Sequence, residues 1–121
     1  MQIASSFERD RRIFGDLTAA DARALAGAFE TKVFPKTDFL TRQGEPDAME
    51  YILLSGKVVS LIGDADGREV CVGFYVGQCV IAPNLARAAD GKSLVNLRME
   101  SDGQVASVST ATLLKLIRRP F

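Results

Sequence analysis

The 121-residue chain contains 15 Lys and Arg, 15 Asp and Glu, and no His. This length predicts one domain with its own core, and the formal charge of zero gives this chain no electrostatic basis for binding nucleic acid. Because His is the commonest general base and metal ligand, its absence argues against an enzyme and against a resident metal or cofactor.

The N-terminal part of the sequence predicts two helices. Ser5 or Ser6 is a suitable cap for a short first helix that ends at Gly15. Thr18 is the predicted cap of a second helix, whose apolar positions recur at helical spacing: Leu17, Ala22, Leu25, Ala26 and Phe29. A layer of short helices is therefore expected at this end of the chain.

After residue 30 the pattern changes to short strands separated by turn residues. The predicted strands centre on Val33–Phe34, Phe39–Leu40, Tyr51–Leu54 and Val58–Ile62. The tetrad Asp64–Gly67 predicts a hairpin, because glycine readily takes the positive φ of such a turn. Its return strand alternates strictly, with one face formed by Val70, Val72, Phe74 and Val76 and the other by Cys71, Gly73 and Tyr75. One of these two faces is expected to line the core.

The stretch from Gly77 to Met99 interrupts the strands with a helix-like insert. Pro83 suits the first position of a helix that continues over residues 84–89, and the pattern is extended again from Lys92. Backbone N–H groups at the start of this helix, with Arg87, Lys92 and Ser93, are suited to holding a small anion. The alternative is that this stretch is an ordinary crossover loop that binds nothing. Without a family resemblance, the residues favour that alternative.

The C-terminal part predicts a second hairpin at Ser101–Gly103, a last strand over 105–108, and a helix over 111–117 capped by Thr110. The fold class is mainly β (α+β), a double-stranded β-roll or jelly roll flanked by short N-terminal helices and a C-terminal helix. The single domain covers 1–121, with helices within 5–29, the β-roll over 30–110 and the trailing helix over 111–118. No apolar run approaches membrane-spanning length, and a cytoplasmic protein is expected.

The order of these features resembles a known family. The segment FPKTDFLTRQGEPDAMEYILLSGKVVSLIGDADGREVCVGFYVGQCV, residues 34–80, looks like the first two thirds of a cyclic-nucleotide-binding domain of bacterial CRP/FNR-type transcription regulators. Its specific marks are Phe34–Pro35 before a strand and four glycines at family-like spacing, which are Gly44, Gly56, Gly67 and Gly77. The resemblance implies a β-roll that holds a small effector near the insert.

The sequence departs from that family in the effector site. Members that bind cyclic AMP carry Phe-Gly-Glu after the opening glycine and later Arg-Ser/Thr-Ala for the phosphate, whereas here the first group falls on Val80, Ile81 and Ala82. The position that corresponds to the family's phosphate-binding arginine lies near Ser93, where this sequence has no arginine. Arg87 or Lys92 is the candidate cation that could replace it. The predicted cradle therefore comprises Val80, Ile81, Ala82, Pro83, Asn84, Arg87, Lys92, Ser93 and Leu94. Because each missing charged hydrogen bond costs about 1.5 to 3 kcal/mol, cyclic AMP is expected to bind weakly or not at all.

The resemblance implies the effector-sensing N-terminal domain of a CRP/FNR-type regulator, which contacts DNA through a C-terminal domain that this chain lacks. The expected partners are a small-molecule effector and, as an open question, a second copy of the chain. The alternative is a regulatory cyclic-nucleotide-binding module of a kinase, channel or transporter. A small β-roll enzyme of the cupin type is disfavoured, because cupins bind metal through histidines. The sequence names no effector.

Overall fold

The computed structural model of the chain describes residues 19–81 and 90–117. Strands predominate, as the sequence predicts. The predicted first helix and the helix predicted over residues 83–89 lie outside the described residues. The elements are α1 (Ala19–Ala28), β1 (Glu30–Phe34), β2 (Phe39–Thr41), β3 (Met49–Ser55), β4 (Lys57–Gly63), β5 (Glu69–Val76), β6 (Cys79–Ile81), β7 (Asn96–Met99), β8 (Gly103–Ser109) and α2 (Thr110–Ile117).

The eight strands form two four-stranded antiparallel sheets, which confirms the predicted β-roll. One sheet has the order β1-β8-β3-β6 and the other the order β2-β7-β4-β5. Among the described helices, neither is long and apolar enough to cross a membrane.

Two apolar clusters hold three layers together. The first lies between the sheets and takes side chains from both of them: Tyr51, Leu53, Val58, Ile81, Val95, Leu97, Met99 and Val105. The second joins the helices to the outer side of the β3–β8 pair, where Leu25 of α1 and Leu113 of α2 meet Ile52, Leu54, Ala106 and Val108. β3 contributes to both clusters because alternate side chains of a strand point to opposite faces. This double burial explains its continuous apolar run.

The hairpin predicted at residues 64–67 is confirmed, and one face of its return strand lines the core as predicted, through Tyr75, which is half-buried against the cluster between the sheets. Gly67 has φ +80°, and the Asp64 carboxylate accepts hydrogen bonds from the N–H groups of Asp66 and Arg68. The side chains of Val70, Val72, Phe74 and Val76 are all exposed. A register irregularity opposite Ser60–Leu61 gives β5 one extra residue, so the strict alternation of faces does not hold along the strand.

Two predictions near the C-terminus are wrong. Ser101–Gly103 does not close a hairpin, because β7 pairs with β2 and β4 while β8 pairs with β1 and β3. The turn instead carries the chain from one sheet to the other. Ser109, not Thr110, caps α2, because the Ser109 Oγ accepts a hydrogen bond of 3.1 Å from the Thr112 N–H. The Thr110 hydroxyl donates to the buried Glu50 carboxylate instead.

Candidate functional site

The strand that leads into the predicted cradle belongs largely to the core. β6 pairs with β3 so that Ile81 lies opposite Tyr51 and Val80 opposite Ile52. Ile81 is 1% exposed and packs in the cluster between the sheets. Val80 is half-buried against the cluster beneath the helices. The two side chains therefore serve different layers, and both have a packing role whatever else they contact.

The middle of the predicted cradle falls outside the described part of the chain. Ala82, Pro83, Asn84 and Arg87 lie outside the described residues, as does the helix predicted over 83–89. The ligand roles of these four residues stay predictions.

Backbone hydrogen bonds fix the other flank of the site, residues 90–94. The Gly44 N–H donates to the Ser93 carbonyl at 2.8 Å, and the Ser93 N–H donates to the Glu45 carbonyl at 2.9 Å. The Asp47 N–H donates to the Gly91 carbonyl at 3.1 Å. These bonds make a short antiparallel ladder between residues 44–47 and 91–93, with an isolated bridge from Pro46 to Lys92. The sequence predicted turns here but did not predict that they pair.

The side chains of this flank alternate between the interior and the solvent. Ser93 is 4% exposed, and its Oγ donates to the Val95 carbonyl at 2.7 Å and accepts from the Val95 N–H at 3.2 Å. Lys92 and Leu94 on either side are exposed. The Lys92 backbone is held by a 3.0 Å hydrogen bond from its N–H to the Asp90 carboxylate. The flank therefore presents a cation on an anchored backbone, while the Ser93 hydroxyl already has local partners.

Asp47 and Tyr51 form a buried polar pair beside this ladder that the sequence did not reveal. The Tyr51 hydroxyl lies 3.3 Å from the Asp47 Oδ1 and 3.1 Å from the Leu40 carbonyl oxygen. The same Asp47 oxygen accepts a 3.3 Å hydrogen bond from the Met49 N–H. The sequence assigned Asp47 to a turn. The one signal in the sequence was Tyr51, because a tyrosine within a buried apolar run requires a partner for its hydroxyl.

The titratable groups show no arrangement typical of catalysis among the described residues. Cys71 is exposed and Cys79 is half-buried, and these two described cysteines form no disulfide. Burial raises the pKa of the Tyr75 phenol, and the nearby Cys79 raises that pKa further. Within residues 19–81 and 90–117, no group of three or more Cys, Asp or Glu residues is placed to hold a metal ion.

Comparison with known proteins identifies the family to which the chain is similar. A family model described as "Cyclic nucleotide-binding domain" matches residues 31–120. A cGMP-dependent protein kinase from Eimeria tenella is 32% identical over 82 residues, which is 68% of this chain and 8% of the kinase. The chain thus spans a small part of that curated relative.

Solved structures of transcription regulators share the architecture. The sensor domain of the regulator DNR from Pseudomonas aeruginosa superposes with a TM-score of 0.76 at 16% identity, covering 96% of this chain and 79% of that one. The Catabolite Activator Protein of Thermus thermophilus superposes with a TM-score of 0.75 at 19% identity, covering 88% of this chain and 50% of that one. At such identities these structures establish the fold. Taken with the family match over residues 31–120, they show that the chain belongs to the cyclic nucleotide-binding domain family.

Proposed function

We propose that this chain is the effector-sensing domain of a cytoplasmic CRP/FNR-type transcription regulator, that it performs no catalysis, and that DNA is contacted through another domain. The resemblance of residues 34–80 and the similarity to the DNR sensor domain support this role. The effector binds between the end of β6 and the anchored flank 90–94. A homodimer is part of the proposal.

The hydrogen bonds of the Ser93 hydroxyl are the observation that supports a particular kind of effector. The one proton of this hydroxyl is donated to the Val95 carbonyl, so that bond must be given up before the hydroxyl can donate to a buried phosphate. Lys92 then supplies the cation of the described flank, and a lysine lacks the bidentate geometry with which arginine grips a phosphate. With Ala82 in place of the ribose-binding glutamate, the site favours a small organic acid over cyclic AMP.

Calorimetric titration with cyclic AMP, cyclic GMP and a panel of small organic acids tests this proposal. We expect cyclic AMP to bind weakly or not at all, and we expect an effector from the acid panel to lose at least about tenfold in affinity on Lys92→Ala. Lys36→Ala, which removes an exposed cation outside the site, is the matched control. A dissociation constant for cyclic AMP in the low micromolar range or tighter would contradict the proposal, and loss of that binding on Arg87→Ala would identify the cation responsible.

The kinase match favours a second candidate, a regulatory module of a kinase, channel or transporter. The native coding sequence beyond residue 121 separates the two candidates. A long amphipathic helix followed by a helix-turn-helix supports the regulator. A kinase domain or a transmembrane segment there supports the alternative.

A further inference from the structure

The four edge strands of the two sheets differ in how they are protected against pairing with another chain. β2 and β6 have three residues each, and β1 carries the charged residues Glu30 and Lys32. Short length and charge are the usual protections of an edge strand. β5 has eight residues, pairs among the described strands with β4 alone, and carries its single charge at its first residue, Glu69.

The exposed side chains of β5 are apolar over most of its length. Phe74 is 56% exposed and Val76 is 54% exposed, and the side chains of Val70 and Val72 are exposed to a similar degree. Phe74 lies opposite Val59, which is buried, and Val76 lies opposite the exposed Lys57, so at these two positions the exposed apolar side chains belong to β5 and do not continue onto β4. Single exposed apolar residues are normal, but four exposed apolar side chains along one unprotected edge strand indicate an interaction surface.

We propose that β5 pairs antiparallel with β5 of a second copy of this chain, joining the two sheets that contain it into one. A twofold axis at Phe74 sets the two Phe74 rings opposite each other and sets Val76 opposite Val72 of the second copy. No charged residue lies between Val70 and Val76, so this register brings no like charges together. The surface is therefore complementary to itself, as a twofold interface requires.

The size of the strand sets the expected strength of this contact. β5 ends at Val76, so a register with Phe74 on the twofold axis pairs about five residues of each strand, roughly 17 Å. Such a strand pair with its side chains covers less than the roughly 800 Å² per partner of a standard interface. The bulge in β5 bends the strand and further limits the pairing. We expect a dimer that dissociates on dilution and that forms whether or not an effector is bound.

Sedimentation equilibrium of the 121-residue chain over a range of concentrations measures this dimer. Phe74→Lys places two cations opposite each other and should raise the dissociation constant at least about tenfold. Val33→Lys is the matched control, because Val33 is 71% exposed on the edge strand β1 and lies outside the proposed interface. If thermal melts show that Phe74→Lys is misfolded, Val76→Lys takes its place, since it introduces a charge opposite Val72.

A distance measurement tests the register. A spin label is placed on Cys71 in a Cys79→Ala background. In the proposed register the two labelled positions are about six residues apart along the paired strands. The measured distance should therefore correspond to a Cα separation of about 20 Å. A chain that stays monomeric at every concentration would overturn the proposal. So would a dimer that Val33→Lys weakens as much as Phe74→Lys does, or labels much farther apart. None of these outcomes depends on nucleotide binding, so the proposed effector site can fail or succeed separately.

Discussion

The backbone N–H of Gly77 donates a 3.0 Å hydrogen bond to the carbonyl oxygen of Gly56, and this bond joins the end of β5 to the turn between β3 and β4. Gly56 has φ +97°. A Cβ on Gly77 would lie 2.9 Å from the Ser55 Cα, and a Cβ on Gly103 would overlap the Ser55 carbonyl oxygen. Three chain segments therefore meet around Ser55 and Gly56 with no room for a side chain.

Substitution of Gly103 by Ala should destabilise the domain. The added methyl group meets backbone atoms, which cannot move aside as a flexible side chain can, so we expect a loss of about 1 to 3 kcal/mol or more in the free energy of unfolding. Urea denaturation measures this loss. Gly27→Ala is the control: Gly27 lies within α1, and a methyl group added there would meet no other atom within 4 Å, so alanine should add about 0.5 to 1 kcal/mol. Equal effects of the two substitutions would contradict this account.

Ser109→Ala should weaken the start of α2. It removes the oxygen that accepts from the Thr112 N–H, and loss of an N-cap typically costs about 0.5 to 2 kcal/mol. The measurement is thermal unfolding followed by circular dichroism. Ser109→Asp keeps an acceptor at the cap and should retain most of the stability. A Ser109→Asp variant as unstable as Ser109→Ala would show that the cap is not the cause.

Ile81→Ala and Leu94→Ala should separate packing from ligand contact at the candidate site. Ile81 is 1% exposed, and a cavity at such a position costs about 2 to 5 kcal/mol of stability. Leu94 is 49% exposed, so its truncation should change stability by less than about 0.5 kcal/mol. Chemical denaturation gives both values. A loss of effector affinity in Leu94→Ala with unchanged stability would place Leu94 in the site, whereas a large loss of stability would show that its role is structural.

The raised pKa of Tyr75 predicts a dependence of stability on pH. Burial, followed by the effect of Cys79, holds this pKa above the ordinary value of 10.0. The folded state therefore binds the phenol proton more tightly than the unfolded state does. Its contribution is complete below about pH 10 and is lost as the pH rises through the folded-state pKa.

Tyr75→Phe checks this dependence. The difference in unfolding free energy between the native chain and this variant should stay constant below about pH 10, and above that pH the native chain should lose stability faster. Urea denaturation at a series of alkaline pH values provides the measurement. Parallel pH profiles for the two proteins would rule out a raised pKa for Tyr75.

Local patterns predicted most of the secondary structure of this protein. The apolar spacing of Leu25 and Ala26 and the alternation of Val95, Leu97 and Met99 correctly marked buried faces, because helix and strand periods are properties of the chain itself. The Asp64–Gly67 turn was equally clear, since its hydrogen bonds and its positive φ are local. The order of glycines identified the family.

Only the tertiary structure decided which strands pair and which apolar faces are covered. Ser101–Gly103 has the residues of a hairpin turn, yet the strands on its two sides belong to different sheets. The alternation of β5 indicated one buried face without deciding which: Tyr75 packs against the cluster between the sheets, whereas Phe74 and Val76 are exposed. The hydrogen bonds between the Ser93 hydroxyl and the Val95 backbone also appear only in the structure. A sequence specifies local periods and turns, whereas burial and pairing depend on residues far apart in the chain, which meet only when the sheets assemble.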